Sequence, residues 1–125
     1  MLTVFVPGRG HLEWEYLVMD VNGTISLDGG LLPGVSQRTK QLSSLLTLQL
    51  LTADTQGTAA DLGEMMGASV VRVTAGQEAA QKRQHLLELG ARHVIAIGNG
   101  ANDAQMLETA SLGMAVLGAE GTATS

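Results

Sequence analysis

Leu17-Val18-Met19-Asp20-Val21-Asn22-Gly23-Thr24-Ile25 is the stretch on which the reading of the fold turns. An apolar run ends in a carboxylate, and an Asn-Gly-Thr turn follows at once. A strand that is apolar on both faces is buried on both, and open α/β sheets place their ligands outside the carboxyl ends of such strands. Tyr16 to Asp20 is therefore expected to be a central strand that delivers Asp20 to a ligand-binding edge.

Working outward, Leu2 to Val6 alternate weakly, stop at Pro7-Gly8-Arg9-Gly10, and resume as the alternating His11 to Tyr16. This pattern predicts an N-terminal β-hairpin with one solvated face. Beyond Asp20, Ser26 to Leu32 place two short apolar arms around Asp28-Gly29-Gly30, the pattern of a small hairpin flap. A helix then begins at Pro33-Gly34, with a cap expected near Ser36 and with Val35, Leu42, Leu45 and Leu46 on one face.

The remainder alternates strand and helix. Strands are expected at Leu48 to Leu51, Ser69 to Val73, His93 to Ile97 and Met114 to Leu117. Helices are expected from Gly57 to Met66, with Ala59, Leu62, Met65 and Met66 inward, from Gln77 to Leu89, and from Ala101 to Ala110, with Leu107 and Ala110 buried. Gly67 and Gly90 stand where helices commonly end. A β-α-β-α-β order under the right-handed crossover rule implies a three-layer α/β/α sandwich on a parallel, Rossmannoid sheet. Asp20, Thr52 and the loop Asn99 to Asp103 then share one edge.

Composition narrows the chemistry. The 125 residues fit one domain, and a core nearly free of aromatics must be aliphatic, because Phe5, Trp14 and Tyr16 are the only ones. A net charge of −5 with no basic run disfavours nucleic acid and anionic membranes as partners. The absence of cysteine excludes disulfides, thiolate zinc sites and cysteine nucleophiles. With no leader-like start and no long apolar run, a cytoplasmic location is expected.

Asp20 and Asp103 in one crevice would repel unless a cation lies between them. A hard oxygen-seeking ion such as Mg²⁺ meets that need. Thr52 adds a hydroxyl and Lys82 an ammonium, and the set together suits phosphoryl transfer. Taken singly, each residue has a plainer reading: Asp20 as a turn residue, Lys82 as a solvated helix lysine with Arg83 as its rival, and Asn102-Asp103 as a helix cap. His11, His85 and His93 are expected to be structural or solvated, and Met65, Met66 and Met106 to fill the core.

These motifs, in order, resemble the haloacid dehalogenase (HAD) superfamily. Asp20-Val21-Asn22-Gly23-Thr24 is similar to its Asp-x-Asp-Gly-Thr motif, and Leu51-Thr52 to a strand closed by Thr or Ser. Lys82 matches the third motif, and Gly98 to Leu107 the fourth, Gly-Asp-Gly-x-Asn-Asp-x-x-Met-Leu. Leu51-Thr52-Ala53-Asp54, Glu78 to Lys82 and Ala110 to Val116 resemble the phosphorylation domain of P-type ATPases, in particular the soluble P-type ATPase-like branch. Pump transmembrane helices and a nucleotide-binding domain have no counterpart, so transport by this chain alone is not expected. The resemblance also implies one further helix and strand beyond Ser125.

By that resemblance, Asp20 is the nucleophile of an aspartyl-phosphate, and the metal ligands are Asp20, the main-chain carbonyl of Asn22 and a side chain from Asn99 or Asp103. Thr52 and Lys82, with Gly23, Thr24, Ala53 and Asn102, hold the phosphoryl group. Two departures stand out: Asn22 replaces the acid–base Asp of the first motif, and Asn99 replaces the first Asp of the fourth. Both precede glycine, a pairing prone to deamidation. An amide neither protonates a leaving group nor activates water, so slow phosphoenzyme hydrolysis is expected.

Short connections leave no room for a cap domain, which suits a phosphorylated small molecule, a nucleotide or a macromolecule as substrate, with a homo-oligomer as one way to close the site. The alternative is a catalytically weakened binding or regulatory module. A receiver domain fits less well, because Asp20 lacks an acidic neighbour and no lysine follows Lys82.

Overall fold

The computed structural model describes residues 1–21, 24–27, 30–31, 33–53, 58–99 and 103–116. β1 (Leu2–Val6) and β2 (Gly10–Trp14) form the expected antiparallel hairpin, and β3 (Tyr16–Asp20) follows after a single residue. β4 (Ser26–Leu27) and β5 (Gly30–Leu31) pair antiparallel, as the flap pattern anticipated. Then come α1 (Val35–Leu42), β6 (Thr47–Thr52), α2 (Thr58–Met66), β7 (Ser69–Arg72) and α3 (Glu78–Leu89). A 3-10 turn at Ala91–His93, β8 (Val94–Gly98), α4 (Ala104–Thr109) and β9 (Leu112–Ala115) complete the order.

The main sheet has five parallel strands in the order β7-β6-β3-β8-β9. Chain order runs from the central β3 outward through β6 to β7, then returns to the other side of β3 for β8 and β9. The two halves diverge between β3 and β8, and a crevice opens at the carboxyl ends of diverging strands.

Side chains along a strand alternate between faces, and the core divides accordingly. Leu17, Met19, Leu48, Leu50 and Ile95 pack with Leu62 and Met66 of α2, with Val35 and Leu42 of α1 beside them. The hairpin covers the same face through Leu2, Val4, Leu12 and Trp14. Val18, Leu51, Val94 and Ala96 point the other way and meet Leu86 of α3 and Met106 of α4. Val18, Leu50, Leu51, Leu86 and Met106 are fully buried, and each such side chain contributes about 1.5–3 kcal/mol through removal from water.

Several expectations are corrected. Met65 is exposed rather than core, because it lies about 100° around the helix from Met66, whereas Ala59 and Met66 share the inward side. Leu45 is exposed as well, since α1 has ended by Leu42 and only Leu46 turns inward. The α1 cap is Gly34, at φ +83, and not Ser36, which lies inside the first turn. His93 belongs to the 3-10 turn, its N–H bonded to the Gly90 carbonyl at 2.9 Å.

The last strand starts two residues earlier than expected, at Leu112 rather than Met114. Gly113 passes directly over the Leu107 carbonyl, where any Cβ would collide with backbone. That close approach fixes the register, with Ile95 opposite Leu112 and Gly98 opposite Ala115. Leu117, and the chain beyond it, lies outside the described residues.

Candidate active site

β3 ends at Asp20 because its apolar run ends there, and the chain turns at once: the N–H groups of Thr24 and Ile25 both bond the Val21 carbonyl. The Thr24 hydroxyl donates to Asp20 Oδ2 at 3.4 Å. The other oxygen, Oδ1, accepts from Lys82 Nζ at 2.8 Å. Lys82 reaches it from the first half of α3, on the face that packs against β3, β6 and β8.

The same ammonium donates to Asp103 Oδ1, also at 2.8 Å. Asp103 takes the cap position of α4, yet its side chain makes no capping bond. Its Oδ2 instead accepts the Asn99 N–H at 2.8 Å. The glycine before Asn99 is what lets it lie there: a Cβ on Gly98 would stand 2.7 Å from both Cβ and Oδ2 of Asp103.

The resulting triad is buried. Lys82 is 4% exposed and Asp103 1%, while the Asp20 side chain keeps 16%. Two carboxylates share one ammonium, which leaves an excess negative charge. Burial is the strongest influence on Asp20 and lifts its carboxyl above the ordinary value, with Lys82 pulling down and the Asp103 charge adding to the rise. For Lys82, burial pulls downward, but the hydrogen bonds and charges of Asp103 and Asp20 prevail, and its ammonium is held above the ordinary value.

Asp20, Thr24, Lys82, Asn99 and Asp103 are thus brought together. Thr52 ends β6 one position beyond Leu51, the residue paired with Asp20, and is buried, with Ala53 next along the chain. Arg83 is exposed, whereas Lys82 is buried against the two carboxylates. Asn22, Gly23, Asp54 and Asn102, named from the sequence, lie outside the described residues. Sequence reasoning missed that one lysine would join both carboxylates; the buried position of a lysine in a helix with Leu86 four residues on was the available signal.

Among the described residues no group of three His, Cys, Asp or Glu side chains gathers to hold a metal by itself. Mg²⁺ commonly takes only one or two carboxylates and keeps several waters; the partly exposed Asp20 carboxylate fits that mode, while Asp103, whose oxygens already accept from Lys82 and the Asn99 N–H, lies behind it.

A family profile described as haloacid dehalogenase-like hydrolase matches residues 36–125. The chain belongs to the haloacid dehalogenase-like hydrolases. The matched span contains Thr52, Lys82, Asn99 and Asp103 of this HAD-like chain but begins after Asp20. No curated protein sequence matches it.

Solved structures share the fold. The cobalt-bound form of the deoxy-D-mannose-octulosonate 8-phosphate phosphatase from Haemophilus influenzae aligns with a TM-score of 0.67 at 13% identity, over 86% of this chain and 71% of that one. A protein assigned to the HAD family of hydrolases from Streptomyces avermitilis gives 0.64 at 20%, over 82% and 67%. The catalytic domain of the CPx-ATPase CopB-B gives 0.54 at 20%, over 68% and 35%. This HAD-like chain therefore spans from about a third to about seven-tenths of the length of these structures. Among the described residues no helix is long and apolar enough to cross a membrane.

Proposed function

We infer that the chain, as a single HAD-like domain, is a phosphohydrolase that works through an aspartyl-phosphate on Asp20, with Mg²⁺ as its metal. The observation that carries this reading is the buried ammonium of Lys82 held 2.8 Å from both Asp20 and Asp103 at the carboxyl edge of the sheet. A carboxylate nucleophile beside a fixed cation is what phosphoryl transfer asks of a protein, since positioning and charge stabilisation supply most of the catalysis.

Asp20 attacks phosphorus, an O–P bond forms, and the bond to the leaving oxygen breaks. Lys82 faces the negative charge of the transferred group, with Thr52, Ala53 and Thr24, and by the motif resemblance Gly23 and Asn102, assigned to holding it. Asn22 cannot donate a proton, so the leaving oxygen takes one from water. Water then attacks the phosphorus of the aspartyl-phosphate, and inorganic phosphate departs as the Asp20 carboxylate is restored. When bound through Asp20, Asp103, Asn99 and Asn22, Mg²⁺ would neutralise charge on the phosphoryl oxygens.

The substrate class is a phosphorylated small molecule or a nucleotide. Among the described residues only α1 and the β4–β5 pair stand between β3 and β6, and only α2 and β7 between β6 and α3. Among those described residues no cap domain narrows the site, which suits a larger phosphorylated partner as well, or closure by a second subunit.

A second reading, a binding or regulatory module, rests on Asn22 and Asn99, which remove two carboxylates from the motifs. Incubation with Mg²⁺ and beryllium fluoride, or with acetyl phosphate, separates the two. The enzyme reading expects an adduct that Asp20→Asn abolishes, together with slow turnover of an aryl phosphate. Absence of adduct and of turnover across a panel of phosphate esters leaves the binding module.

A further inference from the structure

At the opposite end of the sheet from Asp20, a cavity of about 470 Å³ opens between the hairpin, the 3-10 turn and the segment leading into β9. Five strand residues separate the two ends of β3, so the cavity and the carboxyl edge lie about 15 Å apart. Arg9 lines it from the hairpin turn and Arg92 from the 3-10 turn, with His11, His93 and Thr109 around them. Its volume falls in the range of small-molecule sites.

Its walls are tied to one another. Arg9 Nη2 donates to the Ser111 carbonyl at 3.0 Å, and the Trp14 indole N–H donates to Ser111 Oγ at 3.0 Å. The Ser111 N–H lies 3.0 Å from the carbonyls of both Ala91 and Val94. On the other side, His93 Nδ1 donates to the Glu13 carbonyl at 2.9 Å and the Glu15 N–H to the His93 carbonyl at 2.8 Å. A cavity cross-linked in this way needs little further ordering to accept a ligand.

Charge decides the ligand. Both ion pairs among the described residues belong to Lys82, so neither Arg9 nor Arg92 is paired with a carboxylate. A guanidinium carries five N–H donors, and the single bond from Arg9 to Ser111 leaves the rest free. Among the described lining residues Glu13 is the one acidic residue, against the two arginines. In a protein of net charge −5, this concentrates positive charge at one concave place.

We propose that this cavity is a second, non-catalytic binding site for a small multiply charged anion, a phosphate ester or a polycarboxylate, gripped by Arg9 and Arg92. Guanidinium forks match the planar oxygens of both classes and form strong charge-assisted bonds with them. The proposal is independent of phosphoryl transfer at Asp20.

The test is amide chemical-shift titration of the full chain, without Mg²⁺, by pyrophosphate and separately by citrate. Saturable shifts are expected at Arg92, His93, Thr109 and Ser111, and the tighter of the two probes tells a phosphate ligand from a carboxylate one. In Arg9→Gln/Arg92→Gln these shifts should need about tenfold more anion, the loss expected when charge-assisted pairs are removed. The same spectrum reports whether the variant is folded, and Arg92→Gln alone, at an exposed side chain, serves if the double change perturbs it. No saturable shift at those amides up to about 10 mM of either anion, or an unchanged titration in the folded variant, overturns the proposal.

Discussion

At the residue scale, the slow turnover proposed for this chain is assigned to Asn22, which stands where the motif has an acid. Replacing it by Asp supplies the missing acid–base group, and such help is worth about 10²–10⁴-fold. Asn22→Asp should therefore raise steady-state turnover of an aryl phosphate by something within that range; an unchanged rate would mean that proton transfer is not what holds the wild type back. Lys82 matters in a different way. Lys82→Met leaves Asp20 and Asp103 buried and facing each other, and removing one partner of a buried ion pair costs about 3–5 kcal/mol.

That loss has a pH signature. Lys82 is held above its ordinary value, so its contribution is present throughout the neutral range and fades only as pH rises through its folded value. Asp20 is raised by burial even with Lys82 in place, and removing the ammonium takes away the influence that pulls it down, so it rises further. The stability gap between wild type and Lys82→Met, read from urea midpoints, should narrow as pH falls from neutrality, because protonation of Asp20 relieves the variant's unpaired charge.

At the scale of elements, the joints around β8 are the sensitive ones. Gly98→Ala places a Cβ 2.7 Å from Asp103 Cβ and Oδ2, so Asp103 must shift or the strand end must open. Overpacking of this kind costs about 1–3 kcal/mol, and adduct formation with beryllium fluoride should weaken with it. A folded Gly98→Ala that forms the adduct as well as wild type would show that Asp103 need not hold its place.

Between α3 and β6, His85 Nε2 lies 2.6 Å from Gln49 Oε1. A carboxamide oxygen can only accept, so the contact calls for an N–H on Nε2. Burial lowers the His85 pKa, with the Glu88 charge opposing. The folded state then binds fewer protons than the unfolded one, so stability is full above the ordinary histidine value and declines as pH falls through it toward the lower folded value. Thermal unfolding between pH 7.5 and 5 should show this decline, and His85→Gln should flatten it.

For the whole molecule, the hairpin is part of the core rather than an appendage. Trp14 is the only tryptophan, it is buried, and its indole N–H reaches Ser111 near the start of β9. Its fluorescence and the far-UV circular dichroism should accordingly follow one urea transition; an earlier fluorescence change would mean that the hairpin detaches first. The parallel sheet and the strand that delivers Asp20 were legible in the residues because apolar runs and alternation are local properties. The inward helix faces were legible only in part: Met65 sits at the wrong angle on α2 and Leu45 lies beyond the end of α1, so both are exposed whatever their hydropathy.

By itself the sequence determined the order of elements, the central placing of Tyr16 to Asp20, the family, and the two asparagines that depart from its motifs. Tertiary structure alone decided that one lysine joins two carboxylates 62 and 21 residues away from it. It alone brought Arg9 to Ser111, 102 residues distant, and so made a basic cavity in an acidic chain. The physical reason is the same in both cases: periodicity fixes which way a side chain faces, but the packing of whole elements fixes what it meets.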